Sequence, residues 1–287
     1  MKRFALLPNP MKDPDFSLSA RISQYLIDRG AELYTDECFR GISPNNVQLL
    51  PQKELFDVAD CMISIGGDGT LLQIAKPAAF AQKPILGINY GKIGYMAELE
   101  VNELPELNRL LIDDFQIEKR MMLQVEVMRE GQVVFSSIAL NDAVLACGAV
   151  SRLIPFEVRA DGQELSAYWA DGVILSTPTG STGYSLSAGG PVLQPTGNAM
   201  ILTTICSHSI AVRPIVFAAD TQIEVEVGSL MGKDAYLTVD GYETIKAQEK
   251  DLLLISRAPQ ITRLIKIKNI NFYKILNQKL VRGGGVK

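Results

Sequence analysis

The hydrophobic period of this chain changes near residue 115, and one architecture does not accommodate both periods. Before the change, short apolar runs alternate with apolar residues at helical spacing. Phe4–Leu7 reads as a strand, and Leu18, Ile22, Tyr25 and Leu26 as one face of a helix closed by Gly30. Cys61–Ile65 is a buried strand, Leu71, Leu72 and Ile74 mark a helix, Pro84–Ile88 is the next strand, and Leu104, Leu107, Leu110 and Leu111 mark a further helix. From Phe115 the period is two. Leu123, Val125 and Val127 alternate with polar residues, Gly131 turns the chain into Val133–Ile138, and Phe156–Ala160 runs into the hairpin signal Asp161-Gly162. Ile223, Val225 and Val227, then Tyr236–Val239, Leu252–Ile255 and Ile261–Ile267, continue the alternation. The expected architecture is an α/β N-terminal domain with a Rossmann-like parallel sheet over 1–113, followed by an all-β C-terminal domain of stacked antiparallel sheets over 114–269. The apolar helix Phe272–Leu280 is expected to return within 270–287 to complete the first domain, and the tail Arg282–Lys287 to be disordered.

At 287 residues and 47% apolar, the chain is long enough for two cores. Its net charge of −4 comes from mixed acidic and basic residues without basic runs, which speaks against nucleic acid as a partner. Cys38, Cys61, Cys147 and Cys206 are far apart and show no CxxC spacing, so they read as reduced thiols in a reducing, cytoplasmic compartment. Lys2-Arg3 imitate the start of a signal peptide, but Pro8 ends the apolar run that follows. The stretch Gly172–Val212 carries no Asp, Glu, Lys or Arg, yet Ser, Thr, Gly and Pro interrupt it too often for a membrane span.

The chemistry points first to Gly66-Gly67-Asp68-Gly69-Thr70. A strand ending in glycines and continuing into a helix presents bare backbone N–H groups where a phosphate is favoured. The string is neither a Walker A loop, which needs Lys-Ser or Lys-Thr, nor GxGxxG, since Leu72 stands at the third glycine position. Phosphate repels Asp68 unless the carboxylate serves the reaction, as a proton acceptor or in placing Mg²⁺. A tight turn with a solvated Asp remains the plain alternative. The single histidine, His208, has no second histidine or clustered thiol for a protein-built metal site, and no GxSxG precedes it, so it reads as structural.

Asp171-Gly172-Val173-Ile174-Leu175-Ser176-Thr177-Pro178-Thr179-Gly180-Ser181-Thr182-Gly183-Tyr184-Ser185-Leu186-Ser187-Ala188-Gly189-Gly190-Pro191 resembles the long signature of the NAD kinase family. Gly66–Thr70, the turn Asn89–Tyr95 and Asn141-Asp142 match in order and spacing, so the resemblance covers nearly the whole chain. It implies two domains with an active site between them, and homodimers or homotetramers. The activity it implies is phosphorylation of the adenosine ribose 2′-hydroxyl of NAD to NADP, dependent on ATP and a divalent metal, with Mg²⁺ the expected ion. Asp68 then resembles the proton acceptor, with Gly67, Gly69 and Thr70 beside phosphate and Tyr95 near the dinucleotide. Asn141 has paired donors and acceptors for an adenine edge, and Asp142 accepts from ribose hydroxyls. Asp171 resembles a further dinucleotide contact. Thr179, Thr182, Gly183, Tyr184 and Ser187 occupy neutral ligand-facing positions, Arg152 matches another binding position, and Tyr242 completes the set.

Four positions depart from the family pattern. Asp142 replaces a Glu and Gly183 a common Ala, while Trp169 stands where many members carry a basic residue and Tyr242 where Gln is common. The two aromatics are expected to alter tolerance at the nicotinamide or second-nucleotide end. Diacylglycerol and sphingosine kinases also carry a GGDGT loop, but their acceptor site needs an apolar groove, and the hydroxyl-rich Asp171–Ser187 stretch suits a polar nucleotide better. A regulator that holds NADP without catalysis would use the same residues, and Asp68 separates it from an enzyme.

Overall fold

The computed structural model describes residues 1–40, 46–91, 94–148, 153–209, 211–268 and 271–283. The chain divides into two compact units, Met1–Lys119 with Thr262–Lys287, and Arg120–Ile261.

The first unit is built from β1 (Arg3–Pro8), α1 (Ser17–Ile27), β2 (Glu32–Thr35), β3 (Val47–Leu49), α2 (Gln52–Val58), β4 (Cys61–Gly66), α3 (Asp68–Phe80), β5 (Pro84–Asn89), β6 (Leu99–Glu100) and the single turn α4 (Asn108–Leu111). Its strands pair in parallel in the order β3-β2-β1-β4-β5, with β6 on the end of β5. β4 and β5 are buried throughout, which is why they read as unbroken apolar runs rather than as alternation. The core gathers Phe4, Leu6, Ile63, Ile65, Leu86 and Ile88 from the sheet with Leu18, Ile22 and Leu26 from α1. The helix expected through Leu104–Leu111 is a 3-10 segment, Leu104–Leu107, running into α4. Pro105 near its start and the lack of a longer apolar face keep it short. β2, β3 and α2 did not stand out in the sequence, because β3 is three partly exposed residues and α2 buries only Leu55 and Phe56.

The second unit holds two antiparallel sheets. Their strands are β7 (Gln116–Arg129), β8 (Gln132–Ala139), β9 (Asp142–Cys147), β10 (Ile154–Ala160), β11 (Gln163–Ala170), β12 (Gly172–Ser176), β13 (Ala199–Ile205), β14 (Ile215–Ala218), β15 (Ile223–Val227), β16 (Ala235–Val239), β17 (Glu243–Ala247) and β18 (Leu252–Lys266), with the helical turn α5 (Tyr184–Ser187) after β12. One sheet runs β11-β10-β15-β18 and continues through β7 to β8, and the other runs β14-β13-β12-β9-β16-β17. Both contribute one face to a shared core, with Leu123, Val125, Phe156, Val158 and Val225 from the first and Val173, Leu175, Leu202, Leu237 and Val239 from the second. Asp161 (φ 50°) and Gly162 (φ 74°) make the expected hairpin turn between β10 and β11.

Leu252–Ile255 and Ile261–Ile267, expected as two strands, are one strand, β18. Its start pairs with β15 and Arg263–Leu264 pair in parallel with Pro84–Ile85 of β5, so β18 carries the chain back to the first unit. There α6 (Phe272–Gly283) follows, and it extends through Arg282 and Gly283, which were expected in a disordered tail. Residues 284–287 lie outside the described residues. Among the described residues no helix is long and apolar enough to cross a membrane.

Candidate active site

In the first unit, β4 ends at Gly66 and α3 begins at Asp68, so the expected strand, loop and helix order is present. Glycines serve different purposes within this short stretch. A Cβ on Gly66 would lie 2.3 Å from the Thr70 hydroxyl, so Gly66 is demanded by packing, whereas Cβ atoms on Gly67 and Gly69 would meet nothing within 4 Å. The open side of the loop is therefore at Gly67 and Gly69, where an anion can approach backbone N–H groups at a helix N-terminus. Thr70 is buried, and its Oγ1 accepts from Asn9 Nδ2 (2.7 Å) and from the Gly67 N–H (3.4 Å). That places Thr70 as a tie within the helix start rather than on the open side.

Asp68 does not stand free in solvent. Its Oδ2 accepts from the Tyr95 N–H (2.7 Å), and its Oδ1 from the Met96 N–H (3.1 Å) and the Ala97 N–H (3.4 Å). Gly94 permits this, since a Cβ there would stand 2.1 Å from Asp68 Oδ1. The carboxylate is thus held rigidly, with lone-pair capacity left on Oδ2. Tyr95 is half-buried, its ring 6.4 Å from that of Phe272 on α6.

In the second unit, Asn141 and Asp142 open β9, which pairs with β12 so that Asp142 faces Ser176. Thr177–Gly183 therefore follow directly beside Asn141. The Thr177 N–H donates to the Asn141 carbonyl (2.9 Å), the Thr177 hydroxyl to the Leu140 carbonyl (2.5 Å), and a Cβ on Gly180 would overlap the Asn141 backbone. A cavity of about 370 Å³ lies here, lined by Asn141, Asp142, Tyr184, Thr238 and Asp240 among others. Asn141 Oδ1 is itself buried and, among the described residues, no donor reaches it. Buried acceptors without a partner are rare in folded proteins and point to a missing donor.

The Asn141 backbone is pinned by a residue that sequence reasoning missed as part of the site. Asp240 Oδ2 accepts from the Leu140 N–H (2.8 Å), and Oδ1 from the N–H groups of Asn141 (2.7 Å) and Asp142 (3.1 Å). Asp240-Gly241 is also the left-handed turn between β16 and β17, and a turn was the only signal the dipeptide carried. The two buried carboxyls affect one another. Burial and then the charge of Asp240 push Asp142 up to about 7, while burial pushes Asp240 up to about 6 against the pull of its three N–H donors. Those donors favour the ionised form of Asp240, so Asp142 is the member that holds a proton near neutrality.

The remaining expected residues scatter more widely. Thr179 is buried, and its hydroxyl accepts from Nη1 of Arg120 (3.1 Å), itself a buried residue that sequence reasoning passed over. The Thr182 hydroxyl donates to the Thr179 carbonyl (3.3 Å). A Cβ on Gly183 would come 3.2 Å from the Gly180 carbonyl oxygen, so the common Ala is only slightly tighter here. Tyr184 is exposed on the cavity rim and Ser187 is exposed at the end of α5. Asp171 is not brought to this cluster. It precedes β12, beside Cys147 and Ile205, five residues from Ser176 and therefore about 16 Å along the strand. Trp169 and Tyr242 are 50% and 40% exposed, so neither is a core residue. His208 is exposed, and its N–H donates to the Trp169 carbonyl (2.9 Å). Arg152 lies outside the described residues.

Among the described residues no cluster of three or more His, Cys, Asp or Glu side chains could hold a metal ion by itself. A divalent ion bound largely through substrate phosphates needs only one or two protein carboxylates. Asp68, with its remaining Oδ2 capacity beside the open glycines, fits that donor set.

Comparison with known proteins agrees along the whole length. Residues 4–115 match the ATP-NAD kinase N-terminal domain and residues 140–267 the ATP-NAD kinase C-terminal domain. An NAD kinase of Caldanaerobacter subterraneus subsp. tengcongensis is 37% identical over 98% of this chain and 99% of its own. Among solved structures, an Archaeoglobus fulgidus NAD kinase in complex with ATP aligns with a TM-score of 0.75 at 26% identity, covering 99% of this chain and 100% of that one. A yeast NADH kinase complexed with NADH shares the fold at a TM-score of 0.88 and 22% identity, over 100% of this chain and 89% of that one. With both domain models matched and a relative of this identity along nearly its full length, the chain belongs to the family of ATP-dependent NAD kinases.

Proposed function

We propose that this protein transfers the terminal phosphate of ATP to the adenosine ribose 2′-hydroxyl of NAD, forming NADP, with Asp68 as the general base. The observation that carries the acceptor assignment is the buried, partnerless Oδ1 of Asn141, a residue that lines one cavity with Asp142 and Asp240. An adenine edge brings a donor for that oxygen and an acceptor for the amide nitrogen. Neighbouring ribose hydroxyls suit Asp142, which can donate or accept depending on its proton. An apolar lipid acceptor would leave these buried polar groups unmatched, which favours the nucleotide over a lipid substrate.

For the donor, the open side of Gly67 and Gly69 offers backbone N–H groups of the first turn of α3 to phosphate oxygens, the Gly67 N–H itself being turned to the Thr70 hydroxyl. Asp68 Oδ2, after accepting from the Tyr95 N–H, retains the capacity to take the proton of the attacking hydroxyl as the hydroxyl oxygen bonds to the terminal phosphorus and the bond from that phosphorus to the bridging oxygen breaks, releasing ADP. Three backbone donors fix the carboxylate so that little reorganisation accompanies the transfer. A magnesium ion carried with the triphosphate would neutralise charge developing on the transferring group; Asp68 could hold it only through the Oδ2 lone pair that otherwise takes the proton, so the two roles are alternatives. Cys61, Cys147 and Cys206 are free thiols, and burial pushes Cys61 up to about 12, which suits an inert thiol in a reducing cytoplasm.

The decisive measurement is NADP formation by the purified protein with Mg²⁺, NAD and, in separate assays, ATP, other triphosphates and polyphosphate. NADP formation with ATP is expected; its absence with every donor, or phosphorylation of diacylglycerol in its place, overturns this function.

A further inference from the structure

The C-terminal helix bears on the same loop. Phe272 and Lys279 are seven residues apart on α6, two turns along one face, and both meet the same ring. The Phe272 ring lies 6.4 Å from that of Tyr95, and Lys279 Nζ stands 3.7 Å from the Tyr95 centroid. Tyr95 in turn gives its N–H to Asp68. Packing of α6 through Phe272 thus carries an ammonium to the ring of the residue whose backbone N–H holds Asp68.

Charge and hydrogen bonding leave that ammonium open to a ligand. Burial lowers the Lys279 pKa and the Asp68 carboxylate raises it, so the two charges act on one another. Asp68 nevertheless bonds to the backbone of residues 95–97, and among the described residues no carboxylate lies within ion-pair distance of Lys279. A ring face attracts the cation but accepts none of its three N–H donors in the manner of an oxygen. Meanwhile the loop lacks a cation of its own. Phosphate loops of the Walker type supply a lysine to the triphosphate, whereas Cys61–Ala75 contains no Lys or Arg and adds the negative charge of Asp68.

We propose that Lys279 is a donor-binding residue: α6 holds its ammonium over Tyr95 so that it contacts the phosphate chain of the phosphoryl donor at Gly67–Gly69. The inference rests on the reading of this loop as the donor site. It makes the C-terminal helix part of the phosphate-binding machinery and replaces, from a distant part of the sequence, the lysine that the loop lacks.

Two variants of the full-length protein test it. Lys279→Met keeps the aliphatic stem over Tyr95 and removes the charge, while Lys279→Arg keeps the charge. In Lys279→Met, KM for ATP is expected to rise about tenfold, the weakening expected for one charge-assisted hydrogen bond. KM for NAD and Tm should stay near the wild-type values, and Lys279→Arg should recover most of the loss. Calorimetric binding of inorganic tripolyphosphate without NAD should weaken in parallel. Unchanged ATP and tripolyphosphate affinities in Lys279→Met overturn the inference. So does a loss shared equally by ATP and NAD that follows a fall in Tm, since that would make Lys279 a latch for α6 only. If the wild-type protein forms no NADP, the proposed reaction fails, and the tripolyphosphate comparison still decides the role of Lys279.

Discussion

Asp68 in the first unit and Asp240 in the second are held in the same way and serve different ends. Each carboxylate accepts from three successive backbone N–H groups, Asp68 from residues 95–97 and Asp240 from residues 140–142. Asp68 is half-buried at the start of a helix, between glycines that border open space. Asp240 is buried beside a second carboxyl, Asp142. Three N–H donors fix a carboxylate rigidly in either setting. What differs is the neighbour: open glycines at a helix start suit a candidate base, whereas burial beside Asp142 suits a clamp that shapes the backbone around Asn141.

Substituting Asn at each position separates the two roles. For Asp68→Asn, kcat should fall by about 10²- to 10⁴-fold, the range for loss of a general base. The new amide also sets a donor against one of the backbone N–H groups, lowering stability by about 1–3 kcal/mol. Single-turnover kinetics with NAD binding measured separately checks this, and an undiminished kcat removes Asp68 from the chemistry. Asp240→Asn should reverse the emphasis. Stability falls by about 3 kcal/mol as a buried charged acceptor for three donors is lost, and KM for NAD rises more than kcat falls. Equal Tm for the wild type and Asp240→Asn would rule out the clamp.

The neighbouring Asp142 sharpens the comparison through pH. Its carboxyl is raised from 3.8 to about 7 in the folded protein. Below about pH 4 both folded and unfolded chains hold the proton and the group costs nothing. As pH rises, the unfolded chain ionises first, so the wild type loses stability progressively until about pH 7 and no further above it. Asp142→Asn should therefore leave Tm nearly unchanged at pH 4 and raise stability by about 4 kcal/mol at pH 8, while weakening NAD binding. A pH-independent difference between the two proteins would show that Asp142 ionises normally.

Much of the fold follows from local chemistry. The unbroken apolar runs of β4 and β5, the alternation of β15 and β16 and the Asp161-Gly162 turn were legible because burial on one or two faces and left-handed backbone each leave a mark within a few residues. β3 and α2 left too weak a mark, and the continuity of β18 through Arg257, Ala258 and Pro259 depends on partners in both units. For the candidate site, the strand–glycine–helix order around Gly67 and Asp68 was legible by type and spacing, and Asn141-Asp142 stand at the start of β9 beside Ser176 and Thr177. Arg120, bonding Thr179 from 59 residues away, was not.

By itself the sequence determined that a glycine loop follows a buried strand in an α/β unit, and that a hydroxyl-rich stretch belongs to a β-rich one. Tertiary structure alone decided which hydroxyls remain available, that Asp171 stands apart from Asn141 along β12, that Asp240 clamps the backbone of residues 140–142, and that Lys279 reaches Tyr95. Backbone preferences act over a few residues and are written in local spacing. The partner of a side chain is set by strand register and helix docking across the whole fold, and spacing carries no record of it.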